Sequence, residues 1–241
     1  MPEMNGEFYV GYQPVAPAPI RRWIRIVTIG VLAAASFIAL LLVAAQSPFA
    51  DSKFEFGTFT RYRGRLVERP YPMLFANGSL YLLFGEGKRG LGTLAAGKDG
   101  HDVDLEGSLI ANGETQAIEV RPDSLRFPGG GSPVAAPALQ VLGRVTIAGE
   151  IVDTKCHLGV MNPGSGKVHR SCAARCLSGG VPPGLLVRDS SGKARTFLLA
   201  GVNGRDLLDL VAQPVRVSGE LRRQGSVFIL SIQGRAGIDP R

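Results

Sequence analysis

All three cysteines of this 241-residue chain, and two of its three histidines, lie between Cys156 and Cys176. The spacing is Cys156-x12-His169-x2-Cys172-x3-Cys176, with His157 directly after the first cysteine. Thiolates and an imidazole are soft donors that suit zinc or copper(I). Haem iron and iron–sulfur clusters draw on the same donor types. The same cysteines suit a structural staple, Cys156 bonded to Cys172 or Cys176, at the cost of one odd thiol. A third chemistry is thiol redox, with Lys155, Lys167, Arg170 and Arg175 supplying the positive charge that lowers a thiol pKa. The pattern is neither Cys-x-x-Cys nor the Cys-x-x-Cys-His of covalent haem attachment, so all three readings stay open.

The elements that must position these residues are legible around them. Lys167 to Leu177 has no helix breaker, follows Pro-Gly-Ser-Gly and runs into Ser-Gly-Gly, which predicts a short helix with a glycine C-cap. On that helix His169, Cys172 and Cys176 stand at i, i+3 and i+7, on one face. Cys156 and His157 sit just past a strand ending at Asp153. The turn Asn-Pro-Gly-Ser-Gly (162–166) would fold them back over that face. A Cys172–Cys176 disulfide would need helix distortion, so a bond to Cys156 is the easier staple.

The rest of residues 51–241 reads as short strands joined by Gly- and Pro-rich turns. One set is 61–72, 79–87, 101–110 and 115–120; after the break FPGGGSPVAAPA (127–138) a second set runs 144–153, 180–189, 194–201, 213–221 and 226–232. Landmarks recur in order: Gly64 and Gly149 inside the first strand, Val67-Glu68 and Val152-Asp153, Pro70/Pro72 and Pro182/Pro183. Tyr81-Leu82-Leu83 then matches Phe197-Leu198-Leu199, and Val103–Leu109 matches Val215–Leu221. This predicts an internal duplication. Five strands, strand-interior glycines and one helical stretch before the fourth strand (204–212 in the second half) predict two tandem OB-like barrels. Where the first half passes from Glu68 to Pro70 through Arg69 alone, the second inserts the Cys/His segment, 154–180. The expected organisation is a tail at 1–22, a transmembrane helix at 23–46, barrels at 55–122 and 141–235, and a linker at 123–140.

Residues Ile26 to Ala45 carry no charge. Twenty helical residues span about 30 Å, the thickness of a hydrocarbon core. Arg21, Arg22 and Arg25 precede the run, Trp23 marks its boundary, and Asp51 and Lys53 follow it. The positive-inside tendency then predicts a cytoplasmic N-terminus, a single pass through a bacterial inner membrane and periplasmic C-terminal domains. A cleaved signal peptide ending near Val43-Ala44-Ala45 is the competing reading; the apolar run is longer than a signal h-region. The tail EFYVGYQPVAPAPI (7–20) reads as a flexible leader or a docking peptide.

The net charge of +7 admits anionic partners, but no stretch interleaves Lys/Arg with aromatics, so nucleic acid is not expected. GEGKRGLG (85–92) lacks the Gly-Lys-Ser/Thr ending of a phosphate loop and reads as a basic hairpin turn. His101 reads as an exposed turn residue. No Ser-His-Asp order, carboxylate pair or His-Glu-x-x-His is present, and no residue is assigned a catalytic role.

The stretch GEIVDTKCHLGVMNPGSGKVHRSCAARCLSGGVPPGLLVRD (149–189) resembles a group of small exported bacterial proteins with a Cys…His-x-x-Cys-Ala-x-x-Cys segment set in an OB-like barrel. The resemblance covers Gly143 to about Ile232, and the first half and tail resemble membrane-anchored members. It implies the barrel and singles out Cys156, His169, Cys172 and Cys176, without naming a substrate. The expectation is therefore a membrane-tethered binding or accessory protein serving a redox or membrane complex. A thiol-disulfide or metal-dependent oxidoreductase and a purely structural subunit with a stapled loop are the alternatives.

Overall fold

A computed structural model describes residues 16–46, 52–113, 115–129 and 135–240. Most of the proposed docking tail (7–15) and part of the Gly/Pro break (130–134) lie outside the described residues. Helix α1, Ala18–Ala44, covers the predicted span (23–46) except its last two residues and starts earlier than expected. Its first turn carries Pro19, which helices tolerate where an amide has no partner in any case. Its best window has a mean hydropathy of 2.7, and none of its residues is buried against protein. It is long and apolar enough to cross a membrane.

The remaining chain forms two closed five-stranded barrels. The first is built from β2 (Thr60–Val67), β3 (Met73–Ala76), β4 (Ser79–Phe84), β5 (Asp102–Asn112) and β6 (Thr115–Val120). Around the barrel the order is β5-β2-β3-β4-β6, closed by β5–β6 pairing; β4–β6 is parallel and the other pairs antiparallel. A short strand β1 (Ser52–Phe54) adds to the edge of β5, and one helical turn, α2 (Gly92–Ala95), precedes β5. The second barrel repeats this with β7 (Gln140–Asp153), β8 (Pro183–Arg188), β9 (Ala194–Ala200), β10 (Pro214–Gln224) and β11 (Val227–Ser231). Its order is β11-β9-β8-β7-β10, closed by β10–β11, with β9–β11 parallel. A final strand, β12 (Ile238–Pro240), lies along β10. This is OB topology twice over, as the sequence pattern predicts.

Three strands lie outside the expected set. β3 is one that Asn77-Gly78, a hairpin signal, does mark; both residues have positive φ, 51° and 77°. β1 and β12 are three-residue edge strands, too short for any periodicity. The predicted linker is also not all linker. Arg126 bridges to Asp104 of β5, and Leu125 and Phe127 pack on the first barrel's core.

Apolar packing is divided into three cores. One fills the first barrel (Leu66, Leu74, Leu83, Val103, Leu105, Ile118) and one the second (Ile151, Leu185, Leu199, Val215, Leu230). The third lies between the barrels and includes Leu80, Leu82, Phe84, Leu198 and Ile229. Strands β4, β9 and β11 therefore bury both faces, alternate residues facing their own barrel and its neighbour. That is why Leu-Tyr-Leu-Leu-Phe and Thr-Phe-Leu-Leu-Ala are continuous apolar runs rather than alternating ones.

Candidate metal centre

The Cys/His segment is the connection between β7 and β8, at the mouth of the second barrel and against the first. After β7 the chain turns sharply through Thr154 and Lys155 into a π-type turn, Cys156–Val160. Thr154 is tied back by donating from Oγ1 to the Pro182 carbonyl at 2.8 Å. The turn at 162–166 does fold back as expected: a Cβ on Gly164 would lie 2.6 Å from the His157 Cα and 2.7 Å from the Cys156 oxygen, so only glycine fits. A 3-10 turn, Lys167–His169, leads into α3, Arg170–Ser178. The predicted helix is thus present, with its first turn wound tighter. It ends in a Schellman arrangement: Val181 N–H donates to the Cys176 carbonyl, Gly180 N–H to that of Leu177, and Gly180 has φ +87°.

This path brings the three thiols together. Cys156 Sγ lies 3.7 Å from Cys176 Sγ and 3.9 Å from Cys172 Sγ, and all three sulfurs fall within 4.8 Å of one another. None is in a disulfide. Cys156 is 3% and Cys176 1% exposed, both within the core between the barrels, whereas Cys172 is half-buried at its edge. The hydrogen bond between Cys156 and Cys176 raises the Cys156 thiol above its ordinary value, and burial adds to this. The same bond lowers Cys176.

His169 is buried, but it faces a different partner. Its Nε2 is 3.0 Å from Asp153 Oδ2, and Asp153 Oδ1 accepts from the Cys156 N–H at 2.8 Å. Asp153, Cys156 and His169 form a second triad of donor atoms within 4.8 Å, overlapping the first only at Cys156. Burial disfavours the charged Asp153, but the bonds from His169 and the Cys156 amide outweigh it and lower its pKa. Cys172 and Cys176 thus meet Cys156 in the first triad, and His169 meets it in the second, its imidazole bonded to the carboxylate at the end of β7. His157 joins neither triad; burial lowers its pKa, and Arg188 adds to that.

The charges assigned to the thiols from sequence are elsewhere. Lys155 is 1% exposed and points into the first barrel: its ammonium donates to the Gly85 and Gly87 carbonyls at 2.7 and 2.5 Å and pairs with Glu119. Arg170 donates to the Asp209 carbonyl, and Lys167 and Arg175 are exposed. The cation that does reach a thiol is Lys88, whose Nζ donates to Cys172 Sγ at 2.7 Å. That bond raises the Lys88 pKa. Lys88 belongs to GEGKRGLG. This segment is a turn, as expected (Gly85 N–H to the Arg89 carbonyl, 3.1 Å), and it also clasps the insert. Gly90 N–H donates to the Gly179 carbonyl at 3.0 Å. The Lys88 carbonyl lies so close to Gly179 that a Cβ there would come within 1.9 Å. No signal within either segment marks that contact, since its partners are more than 80 residues apart in sequence.

A surface groove of about 600 Å³ lies elsewhere, on the first barrel, lined by Arg61, Asp104, Glu106 and Arg121. Arg61 is paired there with Asp104 and Arg121 with Glu106, and Asp123 and Arg126 line the groove as well. No family model matches this chain, and no curated protein or solved structure is significantly similar to it.

Proposed function

We propose that this protein is a membrane-tethered accessory module that holds one soft metal ion, zinc in the first place, at Cys156, Cys172 and Cys176. The observation that carries this reading is the sulfur triangle. A tetrahedral site with zinc–sulfur bonds of about 2.3 Å has sulfur–sulfur edges of about 3.8 Å. The two measured edges at Cys156 are 3.7 and 3.9 Å. Charge favours a divalent ion. With three thiolates, the buried Asp153 carboxylate and the Lys88 ammonium around it, a divalent ion leaves less net negative charge in this largely desolvated site than copper(I) would. Thiolates clustered this tightly are a donor set for a single ion rather than for haem iron.

The cellular setting belongs to the same proposal. Arg21, Arg22 and Arg25, in the N-terminal turns of α1 ahead of its apolar run, favour a cytoplasmic N-terminus, which puts both barrels in the periplasm of a bacterial inner membrane, beside a redox or membrane complex. The test is metal analysis with thiol counting on the full chain purified in detergent under anaerobic conditions. One equivalent of zinc, released when three thiols are alkylated, is the expected result. One reactive thiol and no metal would replace the ion with a staple.

A second reading has one observation of its own. Cys172 is half-buried and bonded to an ammonium, as a redox-active thiolate would be. Turnover with a dithiol substrate by the metal-free protein, abolished in Cys172→Ser, would favour a thiol-disulfide oxidoreductase over the accessory role.

A further inference from the structure

The three thiols differ in access. Cys156 and Cys176 are closed in among Leu158, Val181, Leu198 and Ile229, while Cys172 stands at the edge of that cluster. The group that meets Cys172 is the ammonium of Lys88, contributed by the other barrel. Lys88 is not an ordinary surface lysine. Its backbone is pinned on one side by Lys155, which holds the Gly85 and Gly87 carbonyls. On the other side it is pinned by Gly90 on Gly179, with its own carbonyl packed against Gly179. The sequence thus fixes a positive charge over the one accessible sulfur.

We infer that Cys172 is the exchange thiolate of the metal site, that Lys88 is its displaceable cap, and that the ligand admitted there is a thiolate from a donor or acceptor of the same ion. This rests on the metal reading above. Three protein thiolates leave one vertex of a tetrahedron, and the closed side of the triangle is filled by apolar side chains and by Asp153, whose carboxylate is already engaged by His169 and the Cys156 amide. The open vertex therefore lies on the Cys172 and Lys88 side. An incoming thiolate binds the ion there, the bond from the ion to Cys172 breaks, and the freed Cys172 thiolate returns to the Lys88 ammonium. One metal–sulfur bond forms for each one broken, and no electron is transferred. A thiolate fits better than a carboxylate because the ion is already held by soft ligands. Lys88 also offsets the negative charge that the incomer brings. Lys88 acts here as a positioning residue.

The test uses the full chain in detergent, loaded with Zn²⁺, with metal release to the chromogenic chelator 4-(2-pyridylazo)resorcinol followed by absorbance. Removing one charge-assisted hydrogen bond in Lys88→Ala should speed release by about tenfold with the number of bound ions unchanged. Lys88→Arg, which keeps the charge, should stay near the parent rate. Glutathione, a small thiol, should accelerate release from the parent in proportion to its concentration. A second measurement is independent of loading: iodoacetamide labelling of the metal-free, reduced chain, read by peptide mass, should modify Cys172 about tenfold or more faster than Cys156 or Cys176. Release from Lys88→Ala at the parent rate, or equal labelling of all three thiols, overturns the inference. A parent chain that binds no Zn²⁺ overturns the metal reading instead, and the labelling order then still decides whether Cys172 is the accessible thiol.

Discussion

The two barrels agree strand for strand and part company between their first and second strands. Gly64 faces Val103 in the first and Gly149 faces Val215 in the second; Leu82 faces Ala117 and Leu198 faces Ile229. Yet β2 reaches β3 through Glu68–Pro72 alone, while β7 reaches β8 through Thr154–Pro182. The difference shows how cheaply this fold accepts chemistry at its mouth. Lengthening a loop that far costs on the order of 1–2 kcal/mol in closure entropy. Each buried Leu or Val of the insert, Leu158, Leu177 and Val181 among them, returns about 1.5–3 kcal/mol. The barrel without an insertion is no idle copy, because its 85–92 turn closes over the insertion of the other.

The largest effect that could break this comparison is at Lys155. Lys155→Met leaves the partly buried Glu119 without its partner and the Gly85 and Gly87 carbonyls without their donor, and losing one member of a buried pair costs about 3–5 kcal/mol. Urea unfolding of the full chain should show that loss. A change below about 1 kcal/mol would mean that the insertion does not fasten the barrels together. Gly179→Ala comes next. Its Cβ would meet the Lys88 carbonyl at 1.9 Å, so the clasp must move, at about 1–3 kcal/mol. The melting temperature should fall, and Cys172 should become more reactive to iodoacetamide.

A paired substitution sharpens the equivalence of the barrels. A Cβ on Gly64 would lie 2.1 Å from the Phe75 oxygen and one on Gly149 2.6 Å from the Leu186 oxygen. Both Ala variants should lose about 1–3 kcal/mol, Gly64→Ala the more; a neutral result at either position breaks the duplication of that strand. The smallest effect is at Tyr71, whose hydroxyl donates across the barrels to the Leu199 carbonyl at 2.5 Å. Tyr71→Phe should cost about 0.5–1.5 kcal/mol by denaturation. Burial raises the Tyr71 pKa, so its contribution is complete below the ordinary phenol value of about 10 and is lost as pH rises beyond it. The gap between parent and Tyr71→Phe should therefore close at alkaline pH.

Much of this was readable in one dimension. The apolar run of α1, the strands of the second half and the place of the insertion follow from local composition and from the two-residue period of strands. The helix carrying Cys172 and Cys176 was legible because breakers bracket it. β3 was overlooked although Asn77-Gly78 marked it. Helical spacing says which residues share a face, not which partner each one meets: His169 meets Cys156 and the buried carboxylate of Asp153, while Cys172 meets Cys156 and Lys88.

By itself, then, the sequence determined an apolar helix, two copies of a five-strand pattern and one segment rich in soft donors, since each of these is a matter of residues close together in the chain. Only the tertiary structure decided that the thiols form a triangle that His169 joins only through Cys156. It also decided that Lys155 turns away from them and that the cation over Cys172 is Lys88 from the other barrel. Those outcomes depend on contacts between segments far apart in sequence, fixed by how two barrels bury a shared apolar face, and no local spacing encodes them.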